Sequence, residues 1–184
     1  MSDEPRVIDV NIPRKGRGLD DHLLRHAGDA TPPLSLVEFN LTGLCNRTCE
    51  FCPRVDPAVY PNLNVAIPVE LYEKIVGDLA AMGFDGTILY SAFGEPLLHR
   101  RVEDLIAITR RLCPAARVEM ITNGDFVDRK KLRALFGAGL STLLISLYDG
   151  PHQLKKFGAM KRAIGLTDEQ LILRRRYLPR AEGF

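Results

Sequence analysis

The chain has 184 residues, of which 46% are hydrophobic and 26% charged, and its formal net charge is +2. This composition predicts one globular domain with a sizeable core. No apolar run reaches the length of a membrane span, and the small net charge without a basic stripe gives no indication of nucleic-acid binding.

Residues 1–33 are polar, with proline, glycine and mixed charge, and are predicted to form an N-terminal extension that lies over the domain or stays mobile. His22 and His26 are four residues apart and would share a helix face. Such a pair without a third ligand is more typical of a solvated face than of a metal site. Asp3 and Glu4, with no apolar stretch beside them, are unlike a secretion signal, so we expect a cytoplasmic protein with reduced thiols.

Three of the four cysteines follow the first predicted strand, residues 34–41. Cys45, Cys49 and Cys52 lie on one short loop, where disulfides between them are disfavoured and the three thiolates are expected to share one ligand. A four-iron cluster needs four ligands, so this triplet would leave one iron open to a group that is not protein. A zinc ion completed by His99 or His152 is the alternative, although zinc cysteines usually come as two separated pairs.

The rest of the chain alternates predicted strands with amphipathic helices. This order predicts right-handed βαβ units and therefore an α/β fold with a parallel sheet. The predicted strands cover residues 87–91, 117–122, 142–146 and 171–177, and the predicted helices cover residues 69–82, 101–112, 128–136 and 152–164.

The distinctive polar clusters all follow predicted strands. The carboxyl ends of parallel strands meet at one edge of a sheet, which is where α/β proteins build their sites. We therefore expect the cysteine loop to share a rim with three later loops. Taken singly each later loop is ordinary turn or helix-start chemistry. Those loops contain Phe93-Gly94-Glu95-Pro96, Thr122-Asn123-Gly124 and Ser146-Leu147-Tyr148-Asp149-Gly150.

The spacing C-x3-C-x2-C, with the aromatic Phe51 directly before the third cysteine, resembles the signature of the radical S-adenosylmethionine (radical SAM) superfamily. The resemblance covers about residues 34–177. It implies a partial (β/α) TIM-like barrel of parallel strands, with about five βα units present. It also implies a 4Fe-4S cluster and S-adenosylmethionine as cofactors, reductive cleavage to a 5′-deoxyadenosyl radical, and hydrogen abstraction from a substrate that the sequence does not reveal. An external flavodoxin or ferredoxin would supply the electron.

The resemblance also implies roles for particular residues. Cys45, Cys49 and Cys52 match the cluster ligands. Phe93-Gly94-Glu95-Pro96 resembles a Gly-Gly-Glu-Pro element that receives the methionine amino group, with Phe93 departing from the pattern. A backbone contact there survives if the local φ is negative. The residues expected to contact the cofactor are Phe51, Gly94, Glu95, Asn123, Ser146 and one arginine of the fifth strand. Alternation places Arg175 on one face of that strand and Arg174 and Arg176 on the other, and it does not specify which face points inward. Arg175 is the named candidate.

Three further expectations follow. Cys113 precedes the third strand, at the opposite end of the sheet, and should be a buried, inert thiol. His99 and His152 on the rim are candidate acid or base groups. Asp149 is a weak candidate for the site, because Asp149-Gly150 before Pro151 is also an ordinary loop and helix start. Related enzymes commonly have six strands, so residues 34–184 are expected to be an incomplete core of a longer protein. The alternative function is a non-enzymatic zinc or iron–sulfur module, or a catalytically incomplete fragment.

Overall fold

A computed structural model describes residues 11–29 and 33–177 and contains one sheet of five parallel strands in the order β1-β2-β3-β4-β5. Residues 1–10, 30–32 and 178–184 lie outside the described part, and the predictions for them are not addressed by the structure. The strands are β1 Leu36–Phe39, β2 Thr87–Tyr90, β3 Arg117–Thr122, β4 Thr142–Leu147 and β5 Leu171–Arg175. The helices are α1 Asn11–Arg25, α2 Val69–Ala81, α3 Val102–Leu112, α4 Arg129–Gly137 and α5 His152–Ile164.

The predicted α/β fold is confirmed, and it corresponds to a partial TIM-like barrel. Each strand from β1 to β4 is followed by a helix, and neighbouring strands in sequence are neighbours in the sheet. The strands at the two edges, β1 and β5, are shorter than the predicted ranges 34–41 and 171–177. An edge strand has a neighbour on one side only, so its ends lose ladder hydrogen bonds first.

The two faces of the sheet differ in what covers them. Alternate residues of the central strands, such as Val118, Met120 and Ile145, pack against the helices in the hydrophobic core. The residues between them point to the opposite face, which we call the inner face. It carries Leu89, Glu119, Leu144 and Ser146, all at most 4% exposed.

Helix α1 lies at the amino ends of the strands. Arg14 donates through Nη1 and Nη2 to the two carboxylate oxygens of Glu119, over 2.6 and 2.7 Å. His26, just after the helix, contacts Asp85 in the connection between α2 and β2. Helix α1 and His26 therefore pack against β3 and the connection that leads into β2.

The thiol of Cys113 is buried on the helix side, as expected. It is 3% exposed and belongs to the hydrophobic core. Its Sγ contacts the Val76 carbonyl oxygen at 3.6 Å. This places it away from the three clustered cysteines.

Candidate active site at the carboxyl ends of the strands

The three clustered cysteines lie on the loop between β1 and the short 3-10 turn Pro53–Val55, and all three are partly buried. Cys45 is fixed by one side chain: its backbone N–H donates to Asn62 Oδ1 (2.9 Å), and its carbonyl oxygen accepts from Asn62 Nδ2 (3.2 Å). The N–H of Cys52 donates to the Cys49 carbonyl oxygen (2.9 Å). The loop thus has a defined path from the first cysteine to the third.

Burial raises the pKa of the Cys45 and Cys49 thiols. Burial therefore favours the protonated thiols, and binding of a metal would release their protons. The three sulfur atoms do not form a group within 4.8 Å of one another in the described part of the chain. Three thiolates on one tetrahedral zinc ion would be about 3.8 Å apart, given zinc–sulfur bonds of about 2.3 Å.

Arg54 fastens the cysteine loop to its neighbours from a buried position, 7% exposed. Its Nε donates to the Phe93 carbonyl oxygen (2.6 Å), and its Nη2 donates to the Gly43 carbonyl oxygen. Its guanidinium also lies over the Tyr60 ring, 5.0 Å from the centroid. Arg54 therefore joins the chain on both sides of the cysteines to the loop after β2.

That loop has an unusual backbone. Ala92 adopts a φ of +76°, the only positive φ of a non-glycine residue in the described chain. Such a conformation costs about 1–3 kcal/mol and tends to occur at functional sites. Phe93, where the expected glycine is missing, keeps a negative φ, so a backbone contact at this position is feasible.

Gly94 is required by close packing. A Cβ at this position would lie 2.0 Å from the Thr42 carbonyl oxygen and 2.9 Å from Asn40 Oδ1. The Gly94 N–H donates to the same Asn40 oxygen (3.0 Å). The loop after β2 therefore lies directly against the loop after β1.

Glu95 is 2% exposed and accepts three hydrogen bonds. Its Oε1 accepts from Leu97 N (3.1 Å) and Thr122 Oγ1 (2.6 Å), and its Oε2 accepts from Asn123 N (2.9 Å). Burial raises its pKa, and these hydrogen bonds act in the opposite direction. The carboxylate caps the short helical turn that follows, as the helix-start interpretation of this loop predicts. It also joins the loops after β2 and β3. A carboxylate has about four lone-pair sites, so Oε2 retains capacity for a further donor.

Asn123 connects the loop after β3 to the cysteine loop. Its Nδ2 donates to Asn46 Oδ1 (2.8 Å), and its Oδ1 accepts from Asp125 N (2.9 Å). The second bond is the local turn that the Asn-Gly pair predicts. The first is a tertiary contact between two loops of the rim.

Arg47, between the first two cysteines, is held by two aspartates. Its guanidinium donates to both carboxylate oxygens of Asp125 (2.5 and 2.6 Å) and both of Asp149 (2.6 and 2.7 Å). The hydrogen bonds from Arg47 lower the pKa of each aspartate. The weak candidate Asp149 therefore has a defined partner, and the cysteine loop is connected to the loops after β3 and β4.

Phe51 is 70% exposed and stacks on Tyr148, with ring centroids 5.7 Å apart. The Arg47 guanidinium lies over the Tyr148 ring, 5.4 Å from its centroid. The aromatic residue beside the third cysteine thus belongs to the rim and presents an open ring face.

The strand register shows which of the fifth-strand arginines faces inward. Arg174 pairs with Ser146, and its Nη2 donates to Ser146 Oγ over 2.9 Å. Both residues therefore lie on the inner face. Arg175 pairs with Leu147, which belongs to the helix-side core, and is exposed. Alternation along β5 separated the arginines into two sets, and the inward set is the one containing Arg174.

The two rim histidines differ. His99 is 6% exposed, and both ring nitrogens are engaged by backbone: Nε2 with the Ile67 carbonyl oxygen (3.0 Å) and Nδ1 with Arg101 N (3.3 Å). This arrangement indicates a structural role. His152 is exposed at the start of α5 and stays a candidate acid or base.

Sequence patterns did not identify Arg47, Arg54 or Asp125. The arginines are ordinary charged residues in sequence, and their partners are distant along the chain. A charged residue between or directly after closely spaced cysteines was the available signal, because a loop that binds metal must itself be fixed.

No helix in the described ranges is both long and apolar enough to cross a membrane.

Comparison with protein-family models matches residues 39–166 to the radical SAM superfamily. Among curated proteins, the chain is 28% identical over 149 residues to an S-adenosyl-L-methionine-dependent 2-deoxy-scyllo-inosamine dehydrogenase of Niallia circulans, covering 75% of this chain and 54% of that protein. It is 32% identical over 152 residues to an Fe-coproporphyrin III synthase of Methanosarcina barkeri, covering 82% of this chain and 35% of that protein. The chain thus spans about half the length of these relatives, or less.

Two solved structures resemble this chain in fold. BtrN in complex with AdoMet and 2-DOIA matches with a TM-score of 0.67 and 25% identity, over 79% of this chain and 58% of that one. The native anSMEcpe with bound AdoMet matches with a TM-score of 0.59 and 17% identity, over 77% of this chain and 44% of that one, which supports the fold alone.

Proposed function

This chain belongs to the radical SAM superfamily, and we propose that it is an enzyme of that family in which Cys45, Cys49 and Cys52 hold a 4Fe-4S cluster. When bound, the cluster and S-adenosylmethionine supply reductive carbon–sulfur cleavage to a 5′-deoxyadenosyl radical, which takes hydrogen from the substrate. The protein's own residues position both cofactors and exclude competing hydrogen donors.

The observation that carries the proposal is the way the cysteine loop is joined to the other loops of the rim. Arg54 connects it to the loop after β2, Asn46 connects it to Asn123, and Arg47 connects it to Asp125 and Asp149. The residues that bind a reactive cofactor must be held in place by neighbouring residues that are themselves fixed. A loop that served only as a surface turn would gain little from four such connections.

The donor set fits a cluster better than a single zinc ion. At least two of the three sulfurs are more than 4.8 Å apart, whereas two thiolates on one tetrahedral zinc ion are about 3.8 Å apart. In a four-iron cluster each thiolate binds a different iron, so a wider spread suits it. The three cysteines also leave one iron for the cofactor, which is the open position that catalysis needs.

The rim loops and the inner face of the sheet together offer suitable contacts for S-adenosylmethionine. Oε2 of Glu95 retains acceptor capacity for an ammonium group, next to the close backbone packing at Gly94. Arg174 and Ser146 offer a guanidinium and a hydroxyl on the inner face for a carboxylate, in place of the initially chosen Arg175. Asn123 and the open face of Phe51 complete the proposed set.

An external one-electron donor of the flavodoxin or ferredoxin type is part of the proposal. The sequence has four cysteines, and the fourth, Cys113, is buried on the helix side of the sheet. The chain therefore has no thiols for a second redox centre near the rim.

The test is anaerobic reconstitution with iron and sulfide, reduction with dithionite, and measurement of 5′-deoxyadenosine formed from S-adenosylmethionine. Production by the unmodified chain and by Cys113→Ala, but not by Cys49→Ala, supports the proposal. A bound cluster without cleavage would favour a catalytically incomplete fragment. Zinc with sulfur ligation in place of iron would overturn the proposal in favour of the structural module.

A further inference from the structure

Two histidines and an aspartate meet at the amino ends of the strands, opposite the cysteine loop. His22 lies in the last turns of α1, and His26 directly follows that helix. Asp85 lies two residues before β2 begins at Thr87. One potential ligand atom from each residue lies within 4.8 Å of the other two.

The distances between these atoms are suited to one ion. Asp85 Oδ1 lies 3.0 Å from His26 Nε2 and 3.5 Å from His22 Nδ1. Two ligands each about 2.0–2.1 Å from a tetrahedral ion are themselves about 3.3 Å apart. Little movement of Asp85 relative to either imidazole is needed to reach that geometry.

The surroundings of the histidines also resemble a metal site. His26 Nδ1 contacts Asp29 Oδ2 at 2.6 Å, which is the carboxylate–histidine support that orients metal-binding imidazoles. The His22 side chain is 4% exposed, and the ring nitrogen that faces Asp85 is Nδ1. A buried imidazole whose nitrogen faces a carboxylate is already held in the orientation that a shared ion requires.

We propose that His22, His26 and Asp85 form a binding site for a divalent transition-metal ion, with zinc as the favoured ion. Two imidazoles and one carboxylate are ligands that zinc accepts, and a water molecule would complete four-coordination. Asp29 serves as the outer partner of His26. The sequence pair His22 and His26 had lacked a third ligand, and the fold supplies it from a loop 59 residues after His26.

Arg25 opposes the ion and provides a sharp test. Its Nε lies 3.4 Å from Asp85 Oδ2, and its Nη2 lies 3.4 Å from His22 Nδ1. The Arg25 side chain is 53% exposed, so it is free to move outward when an ion enters. Removing its positive charge should strengthen metal binding, whereas in a purely ionic His–Asp–Arg cluster the same change would remove a stabilising contact.

Such an ion would fasten α1 to the start of β2, far from the chemistry at the other end of the strands. Binding of an ion by the folded chain and not by the unfolded one adds its binding free energy to the stability of the fold. The proposed role is therefore structural, and it is independent of the radical chemistry proposed above.

The experiment uses the full chain with Cys45, Cys49 and Cys52 all changed to Ser, so that their thiolates cannot bind the added metal. After chelator treatment, Zn²⁺ is titrated in competition with a chromophoric chelator.

We expect one ion per chain. His26→Ala and Asp85→Asn should abolish stoichiometric binding, Asp29→Asn should weaken it about tenfold as the loss of an outer partner does, and Arg25→Ala should strengthen it. The exposed His152→Ala is the matched control and should bind normally.

Folding of each variant is checked by circular dichroism, and Asp29→Asn and Arg25→Ala keep the test valid if the ligand variants unfold. Co²⁺ bound in the same chain should show ligand-field absorption without thiolate charge transfer. Absence of a one-to-one ion, or equal affinity in His26→Ala, would overturn the proposal and leave His26 as a cation held by two carboxylates. The triple-serine variant lacks the proposed cluster ligands. Failure of this metal-binding test is therefore separate from failure of the radical SAM proposal.

Discussion

Arg47 and Asp125 form a two-point contact in which Nη2 and Nε of the guanidinium donate to Oδ1 and Oδ2 of the carboxylate, over 2.5 and 2.6 Å. The same guanidinium donates to both oxygens of Asp149. Because Arg47 lies between Cys45 and Cys49, this contact sets where the cysteine loop stands relative to β3 and β4. The planar fork of arginine permits both contacts at once, and the ammonium group of lysine does not.

Arg47→Lys should therefore loosen the cluster more than the fold. All three partners are partly exposed, so the free energy of unfolding of the metal-free chain should fall by only about 1 kcal/mol. Loss of iron from the reconstituted protein to an external chelator should become about tenfold faster, which corresponds to ~1.4 kcal/mol. The control is Arg101→Lys, which changes an exposed pair with Asp104. Equal rates of iron loss in both variants would contradict a positioning role for Arg47.

Gly94→Ala should displace the loop after β2. The new Cβ would meet the Thr42 carbonyl oxygen at 2.0 Å, and backbone atoms on both sides cannot move apart cheaply. We expect a loss of about 1–3 kcal/mol in the free energy of unfolding, measured by urea denaturation. The matched control is Gly77→Ala in α2, where a Cβ meets nothing within 4 Å. That change should stabilise the chain by about 0.5–1 kcal/mol, as alanine does in a helix. Similar effects of the two substitutions would show that the packing at Gly94 is not restrictive.

Strand and helix positions were predictable because each element carries its own apolar period, and β3 and α5 match the predicted ranges 117–122 and 152–164. The shared rim was also predictable, since parallel strands place their carboxyl ends together. Helix α1 was not, because Gly16 and Gly18 lower its intrinsic helix propensity and its stability comes from tertiary contacts such as that of Arg14 with Glu119.

Long-range pairing accounts for the rest. Arg47 is 78 residues from Asp125 and 102 from Asp149 in sequence, so no local pattern links them. The choice between Arg174 and Arg175 depends on register with β4, which a period of two residues does not specify. Asp85 likewise looks like an ordinary loop carboxylate until the fold brings it to His22 and His26.

The register of β5 leads to a prediction about cofactor affinity. Arg174→Ala should weaken binding of S-adenosylmethionine to the reconstituted protein about tenfold, since a charge-assisted hydrogen bond contributes about 1.5–3 kcal/mol. Arg175→Ala, one residue further on the exposed side, should bind as the unmodified chain does. Equilibrium dialysis with labelled cofactor measures both. A loss confined to Arg175→Ala would restore the original choice.

The pair between Glu119 and Arg14 predicts how stability depends on pH. Burial alone would raise the pKa of Glu119, but the hydrogen bonds and charge of Arg14, with a smaller contribution from Arg117, lower it below its ordinary value. A carboxyl group whose pKa is lower in the folded state contributes stability above its unfolded pKa, and that contribution is lost as the pH falls through the folded value. The unmodified chain should therefore lose stability below about pH 4.5, and Glu119→Gln should flatten that acid limb in urea denaturation measured across pH. Arg14→Met should also flatten the acid limb, because the buried carboxylate then keeps only the 3.3 Å contact with Arg117 Nε and its pKa rises from the folded value of the unmodified chain. The free energy of unfolding near neutral pH should fall by about 3 kcal/mol, as when one partner of a buried ion pair is removed. Parallel acid limbs in the unmodified chain and Glu119→Gln would assign the acid sensitivity to other carboxylates.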